Sequence, residues 1–90
     1  MQFMVVEKFK PGKVKAVYQR FEEKGRMLPE GVHYINSWID ESISICYQLM
    51  EAGSQEQLQL WTDEWKDLVD FDIVPIISSA EAKKRIAEIN

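Results

Sequence analysis

One cysteine and one histidine among 90 residues exclude an intrachain disulfide framework and cannot complete a four-ligand zinc site. No apolar run approaches the ~20 residues needed to cross a bilayer, so no membrane association is expected. The opening stretch MQFMVVEKFKPG lacks the basic, apolar, small-residue order of a signal peptide, and a reducing cytoplasm is the expected setting. Gly-rich phosphate loops and a Ser-His-Asp order are missing as well, and neither a metal nor a cofactor is expected. Basic side chains are outnumbered eleven to fifteen, giving −4 and a pI near 4.9. Nucleic-acid binding needs a basic face to neutralise phosphate, so that class is excluded. Positive charge is scarcest in the middle. Residues 1–26 sum to +4, residues 27–72 to −9 and residues 73–90 to +1. Solvated helix faces explain this asymmetry, which also favours association between unlike patches.

No linker, repeat or low-complexity stretch interrupts the chain, and 90 residues suffice for one core: a single domain over 1–90 is expected. Hydrophobic residues make up 46% and aromatics 11%. Their spacing alternates between period 2 and period 3.6. QFMVVEKF (2–9) reads as a buried strand. Pro11 suits a first helical position, Val14, Val17, Tyr18 and Phe21 form one apolar stripe, and Gly25 fits a helix stop. After the loop 25–32, VHYINSWI (32–39) and ISICYQLMEA (43–52) read as a hairpin closed by Asp40-Glu41-Ser42. Ser54 with Gln57 fits a capping box opening a helix with Leu58, Trp61, Trp65 and Leu68 on one side. DFDIVPIIS (70–78) reads as a fourth strand, which Pro75 confines to an edge or a bulge. Ser78 and Glu81 cap a short terminal helix carrying Ala82, Ile86 and Ile89.

The order β-α-β-β-α-β plus a terminal helix predicts an α+β, ferredoxin-like fold, with two helices on one face of a four-stranded sheet. The other face is left bare. A turn centred on 40–42 sorts the hairpin by parity. Odd positions (His33, Ile35, Ser37, Ile39, Ile43, Ile45, Tyr47, Leu49) suit a helix-covered face. Even positions (Tyr34, Asn36, Trp38, Ser44, Cys46, Gln48, Met50) are too apolar for water and too polar for a sealed core. Two such faces packed together in a homodimer resolve the conflict. They enclose either a ligand cavity lined by Tyr34, Asn36, Trp38, Cys46 and Gln48 or a dry seam.

The phrases RFEEKGRMLPEGVHYINSWID, CYQLME and LWTDEWKDLVDFDIVP, within residues 1–77, resemble a bacterial family of short proteins of unknown function in the dimeric α/β-barrel superfamily. The resemblance implies a ferredoxin-like protomer and a barrel-forming dimer, and carries over no catalytic residue. The wider superfamily includes cofactor-free monooxygenases, haem-degrading enzymes, lactone isomerases and stress-responsive proteins. Some of the monooxygenases use Asn and Trp in the barrel, often with a His. Here Asn36 and Trp38 share a parity that His33 does not.

Other candidates are weaker. His33 is the natural acid/base residue at neutral pH, although one His near a strand start is usually structural. Cys46, between Ile45 and Tyr47, reads as a small buried hydrophobe. Glu7 and Glu51, expected near the ends of parallel neighbouring strands, could share a proton or bind a cation, but more plausibly each pairs with a nearby Lys or Arg such as Arg26. Arg26, in the Gly25–Gly31 loop at the barrel mouth, can clamp a carboxylate. Trp61 and Trp65 read as core packing. The functional expectation is a homodimeric barrel binding a small, partly apolar molecule, as a binder or as a cofactor-free monooxygenase- or isomerase-like enzyme. The alternative is a structural or interaction protein whose sheet face serves only dimerisation.

Overall fold

A computed structural model describes residues 1–89. The elements are β1 (Gln2–Phe9), α1 (Val14–Lys24), β2 (His33–Ile39), β3 (Ile45–Glu51), α2 (Gln55–Asp63), β4 (Val69–Ile76) and α3 (Ser79–Ala87). The strands form one open antiparallel sheet in the order β2-β3-β1-β4, consistent with a ferredoxin-like α+β fold. Pro75 lies on β4, an edge strand, where its missing N–H interrupts no second ladder. No helix among the described residues is long and apolar enough to cross a membrane.

Local chemistry sets the element ends. Gly12, at φ +74°, turns the chain after Pro11, so α1 starts at Val14 and Pro11 lies outside it. At the other end Gly25, at φ +65°, lets its N–H bond to the Phe21 carbonyl at 2.7 Å. Ser54 caps α2 by accepting from the Gln57 N–H, and Ser78 caps α3 by accepting from the Glu81 N–H. The Gln57 side chain reaches back to the Gly53 N–H at 2.8 Å, one residue beyond the usual capping-box partner.

The core lies between the sheet and α1 and α2. Phe3, Val5, Met50 and Val69 from the sheet pack against Val17, Leu58, Trp61 and Trp65. Each fully buried large side chain contributes about 1.5–3 kcal/mol. By contrast α3 buries no residue, and Ile86 stays exposed.

Three expectations are corrected here. First, β1 and β3 are antiparallel neighbours: the crossover makes β1 parallel to β2, and β3 returns between them. Gln2 therefore faces Glu51 and Glu7 faces Cys46, so the two glutamates stand at opposite ends of the sheet. Second, the hairpin loop has five residues, 40–44, not three. The Asp40 carboxylate accepts from the Ser44 and Ile45 N–H groups at 2.8 and 2.7 Å, and Ile43 takes the left-handed conformation at φ +57°. Those bonds, with the Ser42 hydroxyl bonded to the same carboxylate, hold the Asp40 carboxyl well below the usual range.

Third, the parity sorting fails. Ile39 pairs with Cys46 and Ser37 with Gln48, while a register shift between Tyr34 and Asn36 leaves Ile35 as the extra residue. On β3 the even set, Cys46, Gln48 and Met50, faces the helices, and Ile45, Tyr47 and Leu49 face away. On β2 the bulge sends Tyr34, Ser37 and Ile39 to the covered face, and His33, Asn36 and Trp38 to the bare one. The proposed common lining of Tyr34, Asn36, Trp38, Cys46 and Gln48 is thus divided between two faces.

Candidate functional site

On the covered face, a cleft of about 200 Å³ opens between the sheet and α1. Glu7, Ser37, Ile39, Cys46 and Gln48 form its floor, Val17, Tyr18 and Phe21 one wall, and Arg26, Trp61 and Trp65 the other. The period-2 pattern of β1 delivers Glu7 here, on the same side as Phe3 and Val5. The loop after α1 delivers Arg26.

Arg26 is held at both ends. Its backbone carbonyl accepts two indole N–H bonds, from Trp61 at 2.9 Å and Trp65 at 3.0 Å. One carbonyl oxygen has two lone pairs, and both are used. Trp61 and Trp65 are core residues, as their spacing suggests, and they also fix this loop where Met27 turns through φ +58°. The guanidinium lies 3.5 Å from the Tyr34 ring centroid and 5.0 Å from that of Phe21. Its Nε donates to the Gln48 Oε1 at 3.2 Å, which gives the carbonyl of a buried amide its partner. No described residue accepts from its two terminal nitrogens.

Glu7 is 6% exposed, and its Oε2 is fully buried without a hydrogen-bond partner. Burial pushes its carboxyl up to about 7, against the opposing pull of the Arg26 charge and the Cys46 thiol. Burial, then the Glu7 charge, push the Cys46 thiol up to about 12. Cys46 is therefore a thiol at neutral pH and not a thiolate nucleophile. Tyr18 is also raised, by desolvation first and then by Cys46 and Glu7, and keeps its proton. A carboxyl that exchanges its proton near neutrality beside a fixed guanidinium can accept, donate or share a proton with a bound molecule.

Of the residues singled out in the sequence, Arg26, Cys46 and Gln48 line this cleft and Tyr34 stacks on Arg26 at its edge. Asn36, Trp38 and His33 lie exposed on the bare face. The Asn36 Oδ1 accepts from the Ser37 N–H at 2.8 Å, part of the bulge. Glu7 belongs to this cleft and not to a strand-end pair with Glu51. Its parity with Phe3, Val5 and Phe9 is the signal that places it under the helices. Nothing in the sequence announces the double indole clamp. Among the described residues no group of three or more His, Cys, Asp and Glu side chains could hold a metal.

The bare face has a different character. Trp38 and Tyr47 are cross-strand partners there, 52% and 38% exposed. Met4, Val6 and Leu49 lie partly exposed alongside, and Lys8 pairs with Asp72 at 3.2 Å.

A family model described as "Domain of unknown function (DUF3303)" matches residues 1–90. The chain belongs to this family. No curated protein and no solved structure matches it. As a DUF3303 member, the chain inherits no activity from its relatives, and its function has to be argued from the cleft.

Proposed function

We propose that this DUF3303 chain is a cytoplasmic, cofactor-free homodimer that binds a small, partly apolar molecule in the cleft of each protomer. In this reading Glu7 is the proton-transferring group and Arg26 the fixed positive charge. The supporting observation is Glu7, which lines an apolar cleft and whose Oε2 is buried without a hydrogen-bond partner. Such a group costs stability unless something else uses it. Carboxyls kept half-neutral by burial beside one charge are typical of functional sites. An acid–base step on such a ligand needs only these two side chains, which is how an enzyme without a cofactor would work here.

The bare face carries the dimer. Trp38, Tyr47, Met4, Val6 and Leu49 form an apolar patch that a second copy, turned by a two-fold axis, would cover with the same residues. Closing two open sheets in this way makes the dimeric α/β barrel. The alternative function, a structural protein with dimerisation as its only task, draws support from the cleft volume, which falls below the ~300 Å³ of ordinary ligand pockets.

A thermal-shift screen of small phenols, carboxylic acids and neutral aromatics separates the two. Binding in the cleft predicts that at least one class stabilises both the wild type and Trp38→Phe, but not Arg26→Gln. Stabilisation by none of them supports the structural alternative. Light scattering should report twice 10.6 kDa for the wild type and the protomer mass for Trp38→Glu. A wild-type monomer at micromolar concentration contradicts the dimer.

A further inference from the structure

Resting on the cleft reading, we propose that the ligand is a small organic acid bound as its anion against the terminal nitrogens of Arg26, and that Glu7 takes up one proton as it binds. The geometry limits the ligand in three ways. A volume of about 200 Å³ exceeds the ~150 Å³ that accommodates benzene, so the body is one ring or a short chain. Val17, Phe21 and Ile39 make the walls apolar. Among the described residues lining the cleft, the Arg26 guanidinium is the only fixed charge. Gln48 and two aromatic rings fix its plane, and no described residue accepts from its terminal N–H groups. A planar guanidinium presented in this way matches a carboxylate bidentately.

An anion placed there shares the cleft with the carboxyl of Glu7, a lining residue. An ionised Glu7 repels it in a poorly solvated space, whereas a protonated Glu7 offers an O–H donor to it. Binding therefore draws a proton onto Glu7. The groups facing Glu7 are Arg26 from the loop, Cys46 from β3 and Tyr18 from α1. β4 presents Phe71 opposite it, α2 and the turn after it present Trp61 and Trp65, and β2 presents Ser37 and Ile39, none of them charged. Between pH 5.5 and 8.5 Cys46 and Tyr18 stay protonated, so Glu7 is the group in this set that titrates.

Calorimetry with benzoate as the probe, and benzamide as its uncharged isostere, tests the proposal on the full chain. Benzoate itself stays ionised throughout this range. Its Kd should be constant below about pH 6.5 and weaken towards tenfold per pH unit above 7, with uptake approaching one proton per benzoate near pH 8 in buffers of different ionisation enthalpy. Glu7→Gln should bind benzoate at every pH as tightly as the wild type does at pH 6, with no proton uptake. Arg26→Gln should lose benzoate while retaining its near-ultraviolet spectrum, because the backbone carbonyl held by Trp61 and Trp65 remains. A flat wild-type profile, or loss of benzoate in Glu7→Gln at pH 6, overturns the proton coupling. Benzamide binding as tightly as benzoate overturns the anion and leaves the cleft reading standing. Failure of both probes at every pH overturns the organic-acid proposal, and the cleft reading falls with it only if no class in the thermal-shift screen stabilises the protein either.

Discussion

Both faces of this sheet carry aromatic and polar side chains, and they do opposite things with them. On the covered face the polar atoms converge: Gln48 accepts from Arg26, Glu7 waits beside it, and two indoles grip one carbonyl. On the bare face polar groups are scattered among apolar ones, with Asn36 spent on its own bulge and Lys8 on Asp72. Apolar content therefore does not identify the working face. Convergence of partly satisfied polar groups under a covering helix does.

The difference predicts unequal responses to substitution. The largest effect belongs to the covered face. Trp65→Ala removes a buried ring and one of the two bonds to the Arg26 carbonyl, and should cost about 3–5 kcal/mol in denaturant unfolding.

The next largest is a pH effect. Folded Glu7 ionises near 7 against an ordinary 4.5, so between those values the folded state holds the extra proton. Stability is unaffected below 4.5, falls as the pH rises to 7 and stays lower above it, by about 3 kcal/mol in all. Glu7→Gln should therefore match the wild type at pH 4 and exceed it at pH 8 by up to that amount. Equal stability at pH 8 would remove the distinction between the faces.

Smaller again is the hairpin loop. Ile43→Gly relieves a β-branched residue at positive φ and should stabilise by about 1 kcal/mol in the same unfolding assay. Smallest is the bare face itself. Trp38→Phe should change protomer unfolding by less than about 0.5 kcal/mol while weakening self-association in light scattering.

Much of the fold was legible in the sequence. β1 shows in the run from Gln2 to Phe9, the edge position of β4 in Pro75, and the two later helix starts in Ser54 and Ser78, because each rests on a local rule that tertiary context leaves alone. The faces of the hairpin were not legible. Their assignment depends on a five-residue loop that Asp40 closes with its side chain while an isoleucine, against its own preference, supplies the positive φ. It depends also on a bulge at Ile35, and a shift of one residue exchanges every side chain beyond it. The site was half legible for the same reason. The sequence marks Arg26, Cys46, Gln48 and Tyr34 but groups them with Asn36 and Trp38, and its strand ends pair Glu7 with Glu51, which lies at the far end of the sheet.

The three tryptophans allow both faces to be read in one spectrum. Trp61 and Trp65 donate their indole N–H groups to the carbonyl of Arg26 at the cleft wall, and Trp38 stands on the opposite face. In a nitrogen–proton correlation titration with benzoate at pH 6, the account predicts that the Trp61 and Trp65 indole signals move together while that of Trp38 stays still. Movement of Trp38 with the other two unmoved would contradict it.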